Sequence, residues 1–181
     1  MPRKTKYQGK WLHFYETTFT NSAGQLREWE YAARTGTDGA AVILAVIQGE
    51  IPQLVVIKQF RPPIDNYAIE FPAGLVDPGE SIQAAAVREL EEETGYFGDV
   101  VNVGPAIYSS PGLTDEFVAM VTVDVKGQNE TRQEADENIE VFTLPLPTLL
   151  RELKRVQAEG CFVDAKLWSF AQGLSWNPTN K

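Results

Sequence analysis

The chain has 181 residues, 43% hydrophobic and 10% aromatic, enough for the core of one globular domain with a small appendage. No apolar run approaches the roughly 20 residues that cross a bilayer, and Met1 to Lys10 lead into no hydrophobic segment, so neither a membrane partner nor a secretory signal is expected. A net charge of -9 disfavours nucleic acid polymers as partners, while the lone Cys161 excludes an internal disulfide framework and points to a reducing compartment, the cytoplasm with the nucleus also open.

Trp11 to Thr18 and Gln25 to Ala33 are β-like runs joined by Asn21-Ser22-Ala23-Gly24, which reads as a hairpin. Thr35 to Gly39 reads as a linker, so residues 1–38 are expected to form a small N-terminal antiparallel β subdomain and 39–181 the main domain. Ala41 to Val46 and Leu54 to Gln59, rich in Val and Ile, look like buried strands, and Tyr67 to Phe71 like a short one stopped by Pro72. Ser81 to Thr94 is the clearest helix, with Ser81 as N-cap, an alanine-rich interior and Gly95 fitting the C′ position. Val100 to Tyr108 and Phe117 to Val125 follow as strands, and Gly127 to Asp136 as a polar, exposed loop. Ile139 to Leu144 reads as a strand, and Pro147 to Ala158 and Val163 to Leu174 as helices. Interleaved strands and helices predict an α/β layered domain with a mixed sheet. Trp168 and Trp176 are read as packing residues, and His13, the one histidine, as a strand surface residue.

The helix from Ser81 holds a peculiarity. Glu89, Glu92 and Glu93 lie at i, i+3 and i+4, which puts three carboxylates on one face. Like charges at that spacing repel, and the helix C-terminus disfavours anions by roughly 0.3–1 kcal/mol each. Arg88 offsets part of this through an i+4 pair with Glu92. A divalent cation would reverse the sign of the problem, and hard oxygen ligands suit magnesium or manganese rather than zinc. By themselves, three glutamates on a helix mark only a solvated surface.

They do not stand by themselves. Gly74 is followed by five residues, Glu80, seven residues, and then Arg88-Glu89-Leu90-Glu91-Glu92-Glu93-Thr94-Gly95-Tyr96. This resembles the Nudix box at every fixed position, Tyr96 alone being aromatic where the pattern asks for an aliphatic residue. The resemblance extends over nearly the whole chain to eukaryotic ADP-sugar pyrophosphatases. It is carried by Gly9-Lys10-Trp11, Trp29-Glu30, Val56 to Pro63, Ile69 to Leu75, the box, and Pro111, which lies sixteen residues beyond Gly95. It implies the Nudix fold, an α/β/α sandwich with a mixed sheet, and magnesium-dependent hydrolysis of the diphosphate bridge of a nucleoside diphosphate sugar, ADP-ribose above others, to AMP and ribose 5-phosphate.

Residue roles follow from the same resemblance. Glu89, Glu92, Glu93 and Glu137 are the expected catalytic residues; Ala73, Glu89, Glu93 and Glu137 are expected at the metal, with manganese a possible substitute. Trp11 and Trp29 would sandwich an adenine, Glu30 would accept from its amino group, Arg34 and Arg61 would grip phosphate, and Leu75 would line the substrate. Outside that resemblance two tryptophans in a hairpin are usually core, and lone arginines surface charges. Asp136 and Glu140 compete with Glu137 for the part of general base, and Ser110 to Thr114 reads as a substrate loop. The family's dimers exchange the N-terminal region. A segment under about 40 residues seldom holds a core alone, so a homodimer is expected in which the two tryptophans of one site come from different subunits. Two other readings stay open: a Nudix hydrolase of another nucleotide, such as an oxidised guanine nucleoside diphosphate, and a non-hydrolysing sensor of ADP-ribose.

Overall fold

Residues 3–133 and 138–176 are described by a computed structural model. Three antiparallel strands, β1 (Arg3–Gln8), β2 (Leu12–Thr20) and β3 (Leu26–Arg34), make a first sheet in that order. The β2–β3 turn closes as its residues predict, because the Asn21 carboxamide oxygen accepts from the amides of Ala23 and Gln25 at 3.0 and 2.9 Å. Strand β1 was not foreseen. Its six residues are all exposed, so it carries no apolar alternation, and pairing to β2 is what extends it.

The second sheet holds eight strands: β4 (Ala40–Ile47), β5 (Gln53–Arg61), β6 (Asn66–Glu70), β7 (Ala73–Leu75), β8 (Tyr96–Tyr108), β9 (Phe117–Gln128), β10 (Ile139–Pro145) and β11 (Phe162–Val163). Its main path runs β11-β6-β5-β4-β9-β8, with β10 beside β5 and β7 beside β4. The β4–β9 and β6–β11 pairs are parallel and the others antiparallel, which is the expected mixed sheet. Helix α1 (Ile82–Thr94) covers one face, and α2 (Leu149–Ala158) with α3 (Ala165–Ser175) covers the other. Neighbouring β4 residues feed both cores. Ala41, Ile43 and Ala45 pack with Ala85, Ala86 and Leu90 of α1, whereas Val42 packs with Leu149, Leu153 and Leu167. An uninterrupted apolar run is what a strand buried on both faces requires.

Some boundaries move. Strand β8 starts at Tyr96 rather than Val100, straight after the helix. Val163, expected in a helix, lies in the short parallel strand beside β6, and α3 begins after its N-cap Asp164, whose carboxylate accepts from the Lys166 amide at 2.8 Å. Trp168 packs on the α2–α3 core as expected. Trp176 does not: α3 ends at Ser175, and the indole beyond it is 74% exposed. His13 is half-buried and shares a 2.8 Å hydrogen bond with the Tyr15 hydroxyl.

Candidate active site

Helix α1 is a framed element. Ser81 Oγ accepts from the Ala84 amide at 3.1 Å, and Gly95 ends the helix at φ +73°. Burying Ala85, Ala86 and Leu90 fixes its rotation, so its charged residues turn toward β7 and the loop after it.

Arg88 organises that face. Its guanidinium donates to both Glu80 oxygens at 3.1 and 2.9 Å, to Glu89 at 2.7 Å, to Glu92 at 3.2 Å, and to the Leu75 carbonyl at 3.1 Å. The i+4 pair expected from sequence is thus one of three carboxylate contacts. They hold the arginine firmly protonated, Glu80 contributing most, and the Glu80 carboxyl is in turn held below its usual range by Arg88. Glu93 is 4% exposed, and its carboxylate accepts from the Ala73 amide at 3.1 Å.

Gly74 is explained by proximity. A Cβ there would fall 1.9 Å from the Glu89 carboxyl carbon, so the carboxylate lies directly against bare backbone. Gly79, at φ +82°, turns the loop between β7 and α1, and its amide donates to Asp38 at 3.2 Å. Beside them opens a cleft of about 420 Å³ lined in part by Ala73, Gly74, Leu75, Glu89, Glu92 and Arg132. The structure therefore unites Ala73, Leu75, Glu89 and Glu92, with Glu93 bound to the Ala73 amide.

Asp77 and Arg132 also line this cleft, and neither was anticipated. Arg132 belongs to the segment read as a free loop, yet its amide donates to the Glu92 carbonyl at 2.9 Å. The Gln133 carboxamide likewise donates to the carbonyls of Glu93 at 2.8 Å and Ile139 at 3.2 Å. Only tertiary contact with the end of α1 could have revealed this. Glu137, with Glu134 and Asp136, lies outside the described residues. Glu140, on β10, is placed, and it is turned away: it pairs at 3.0 Å with Lys58 opposite it on β5, on the face whose Val56 packs toward α2 and α3.

Arg61 shares the α1 face of β5 with Ile57 and is clamped by Glu70 through two contacts of 2.7 and 2.9 Å. That carboxylate raises its pKa, with a smaller contribution from Glu93. Arg34 donates to Glu116 at 2.6 Å and lines a different cleft, of about 440 Å³, with Asp38 and Gly39. Trp29 lines a third, of about 450 Å³, with Tyr31, Tyr108 and Thr114, and its indole N–H donates to the Gly112 carbonyl at 3.0 Å. The expected substrate loop thus rests on β3, the Ala32 amide also donating to Leu113 at 2.9 Å.

Strand register sets where Trp11, Trp29 and Glu30 lie. Trp11 lies opposite Thr35, whose amide donates to its carbonyl at 3.2 Å, whereas Trp29 lies opposite Thr17. Six residues of strand separate those positions, about 20 Å at the usual rise, so one chain does not place both indoles on one base. Glu30, opposite Glu16, points from the other face of the sheet than Trp29. Its carboxylate does not reach a base stacked on Trp29 in the same chain. The Glu30 main chain, two residues from the Ala32 amide bound to Leu113, faces the same open edge of β3.

Among the described residues no three His, Cys, Asp or Glu side chains are gathered as a metal shell. The local bonding accounts for this, since Arg88 holds Glu89 and Glu92 while the Ala73 amide holds Glu93. The donor set is nevertheless that of a hard divalent cation, all oxygen and carboxylate-rich.

A NUDIX domain model matches residues 37–164. The chain is 36% identical over 178 residues to an ADP-ribose pyrophosphatase of Saccharomyces cerevisiae, covering 91% of this chain and 77% of that one. It is 38% identical over 180 residues to an ADP-sugar pyrophosphatase of Mus musculus, covering 92% and 83%. A crystal structure of an ADP compounds hydrolase superposes with a TM-score of 0.71 at 21% identity, covering 95% of this chain and 89% of that one, and so shares the fold.

Proposed function

This chain belongs to the Nudix family, and from that membership we propose that it hydrolyses the diphosphate bond of ADP-ribose and related ADP-sugars with magnesium. Water attacks one phosphorus, the bridging P–O bond breaks, and AMP and ribose 5-phosphate leave. The observation that carries the reading is the cleft that Glu92 lines together with Glu89, whose carboxylate lies against the bare backbone of Gly74. The names of the yeast and mouse relatives support the substrate.

The residues divide the work. Glu89, Glu92 and Glu93, with Ala73 and Glu137 added by the family resemblance, would hold the cation. Bound there, magnesium, or manganese in its place, would neutralise the diphosphate, polarise phosphorus and supply hydroxide near neutral pH. Arg88 keeps Glu89 and Glu92 poised. Arg61, clamped by Glu70, presents a guanidinium on the same face of the sheet as α1, and Glu137 is the proposed base.

The substrate site is further proposed to be shared by a homodimer. Two indoles that sandwich a purine stand about 7–8 Å apart, two van der Waals layers, far less than the separation along one hairpin. Arg34 and Trp29 line clefts that hold none of the box carboxylates. A second chain that brings its own hairpin to this cleft supplies the missing groups. Assay of a panel of nucleoside diphosphate sugars and oxidised guanine nucleotides with magnesium tests the substrate, products being identified by chromatography. ADP-ribose is expected to give the highest kcat/KM; a higher value for an oxidised guanine nucleotide, or binding without turnover, overturns the reading.

A further inference from the structure

We propose that Arg132 is an additional substrate-binding residue, closing its guanidinium on a phosphoryl oxygen of the bound diphosphate; this rests on the diphosphate hydrolysis proposed above. Among the described residues that line the carboxylate cleft, two are cationic, Arg88 and Arg132. Arg88 is committed to Glu80, Glu89 and Glu92 at 2.7 to 3.2 Å and to the Leu75 carbonyl, so it cannot turn to a ligand without releasing the site's own carboxylates.

Arg132 is held differently. Its main chain is anchored to the last turn of α1 by the 2.9 Å bond to the Glu92 carbonyl, and Gln133 beside it is tied to the Glu93 carbonyl at 2.8 Å. The root of the side chain is therefore fixed at the cleft. Its tip meets Glu91 through one 3.3 Å contact and is 65% exposed, a pairing that holds weakly in solvent. Glu91 also accepts from the Asn129 carboxamide at 3.2 Å, so it retains a partner when the arginine leaves. Exchange of one half-buried carboxylate held by a single contact for a diphosphate is favourable for a guanidinium, whose forked donors fit two phosphate oxygens at once. The exposure of the side chain places the grip on the rim of the cleft rather than at its floor.

Kinetics of Arg132→Ala, Arg132→Lys and Glu91→Gln with ADP-ribose and magnesium decide this. Loss of one charge-assisted hydrogen bond in Arg132→Ala should raise KM by about 10-fold or more, with kcat within about threefold because the metal carboxylates are untouched. Arg132→Lys should recover part of the KM. Glu91→Gln should leave KM at or below the wild-type value, since it frees the arginine. An unchanged KM in Arg132→Ala overturns the proposal, as does an equal rise in Glu91→Gln, which would make the Glu91 pair structural. A wild-type protein inert toward ADP-ribose would instead sink the function itself, and the role of Arg132 with it.

Discussion

At the scale of single residues, Arg88 and Gly74 explain how three carboxylates coexist on one helix face. Sequence spacing suggests repulsion among Glu89, Glu92 and Glu93, relieved by removing any of them. The structure shows the first two sharing the single charge of Arg88 and the third bonded to the Ala73 amide, so removing a carboxylate relieves repulsion but also breaks one of these contacts. Glu89→Gln and Glu93→Gln should each lower turnover by about 100-fold or more, with no gain in the melting temperature of the metal-free protein. Near-normal turnover in either variant removes that residue from the metal site. Gly74→Ala should fold, because the atom it meets at 1.9 Å belongs to the movable end of Glu89. The displaced carboxylate should cost turnover far more than stability, and a normal kcat in that variant would show the close approach to be dispensable. Glu80 sets a pH dependence. Its pKa is lowered in the folded state by Arg88, so its contribution is present above the unfolded value of 4.5 and is lost as the pH falls through the folded one. Melting temperature followed from neutral to acid pH should fall less steeply in Glu80→Gln than in the wild type.

The elements show where local signals were enough. Helix α1 begins at Ser81 and ends at Gly95 as its cap residues dictate. The two caps are not equivalent. Ser81→Ala should cost about 1 kcal/mol, one lost cap. Gly95→Ala should cost more, since it meets both a φ of +73° and the Asn129 carbonyl 2.3 Å from the new Cβ. Denaturant unfolding of both variants gives the order directly, and equal losses would mean that the Asn129 strand end simply moves aside. Strands β1, β7 and β11 escaped the sequence for one physical reason. They are short or exposed throughout, so no period-two burial marks them, and a neighbour already in place extends them.

For the whole molecule, the question is what the N-terminal sheet packs on. Trp11 is 66% exposed and Trp29 48%, large apolar surfaces that a second chain can cover. Trp11→Ala and Trp29→Ala, each weakly active, should be unfolded and refolded together. If two chains supply the pair, each mixed dimer holds one doubly damaged site and one intact site, and activity at low substrate recovers. No recovery, with mixed dimers confirmed by mass spectrometry, would mean a pocket built in cis.

The sequence by itself determined the box with its three carboxylates on one face, the limits of α1 and the buried strands on either side of the core, whereas Ala73 and Leu75 entered only through the family resemblance. Each of the first three is written locally, in spacing, caps or an apolar run. Tertiary structure decided which partner each charge takes. It gave Arg88 three carboxylates, turned Glu140 to the far face, moved the Glu30 side chain away from Trp29, left Trp176 in solvent and brought Arg132 to the cleft. A charged side chain has many possible partners within reach of its own segment. The choice among them is made by strand register and by the packing of α1, which join residues far apart in the chain.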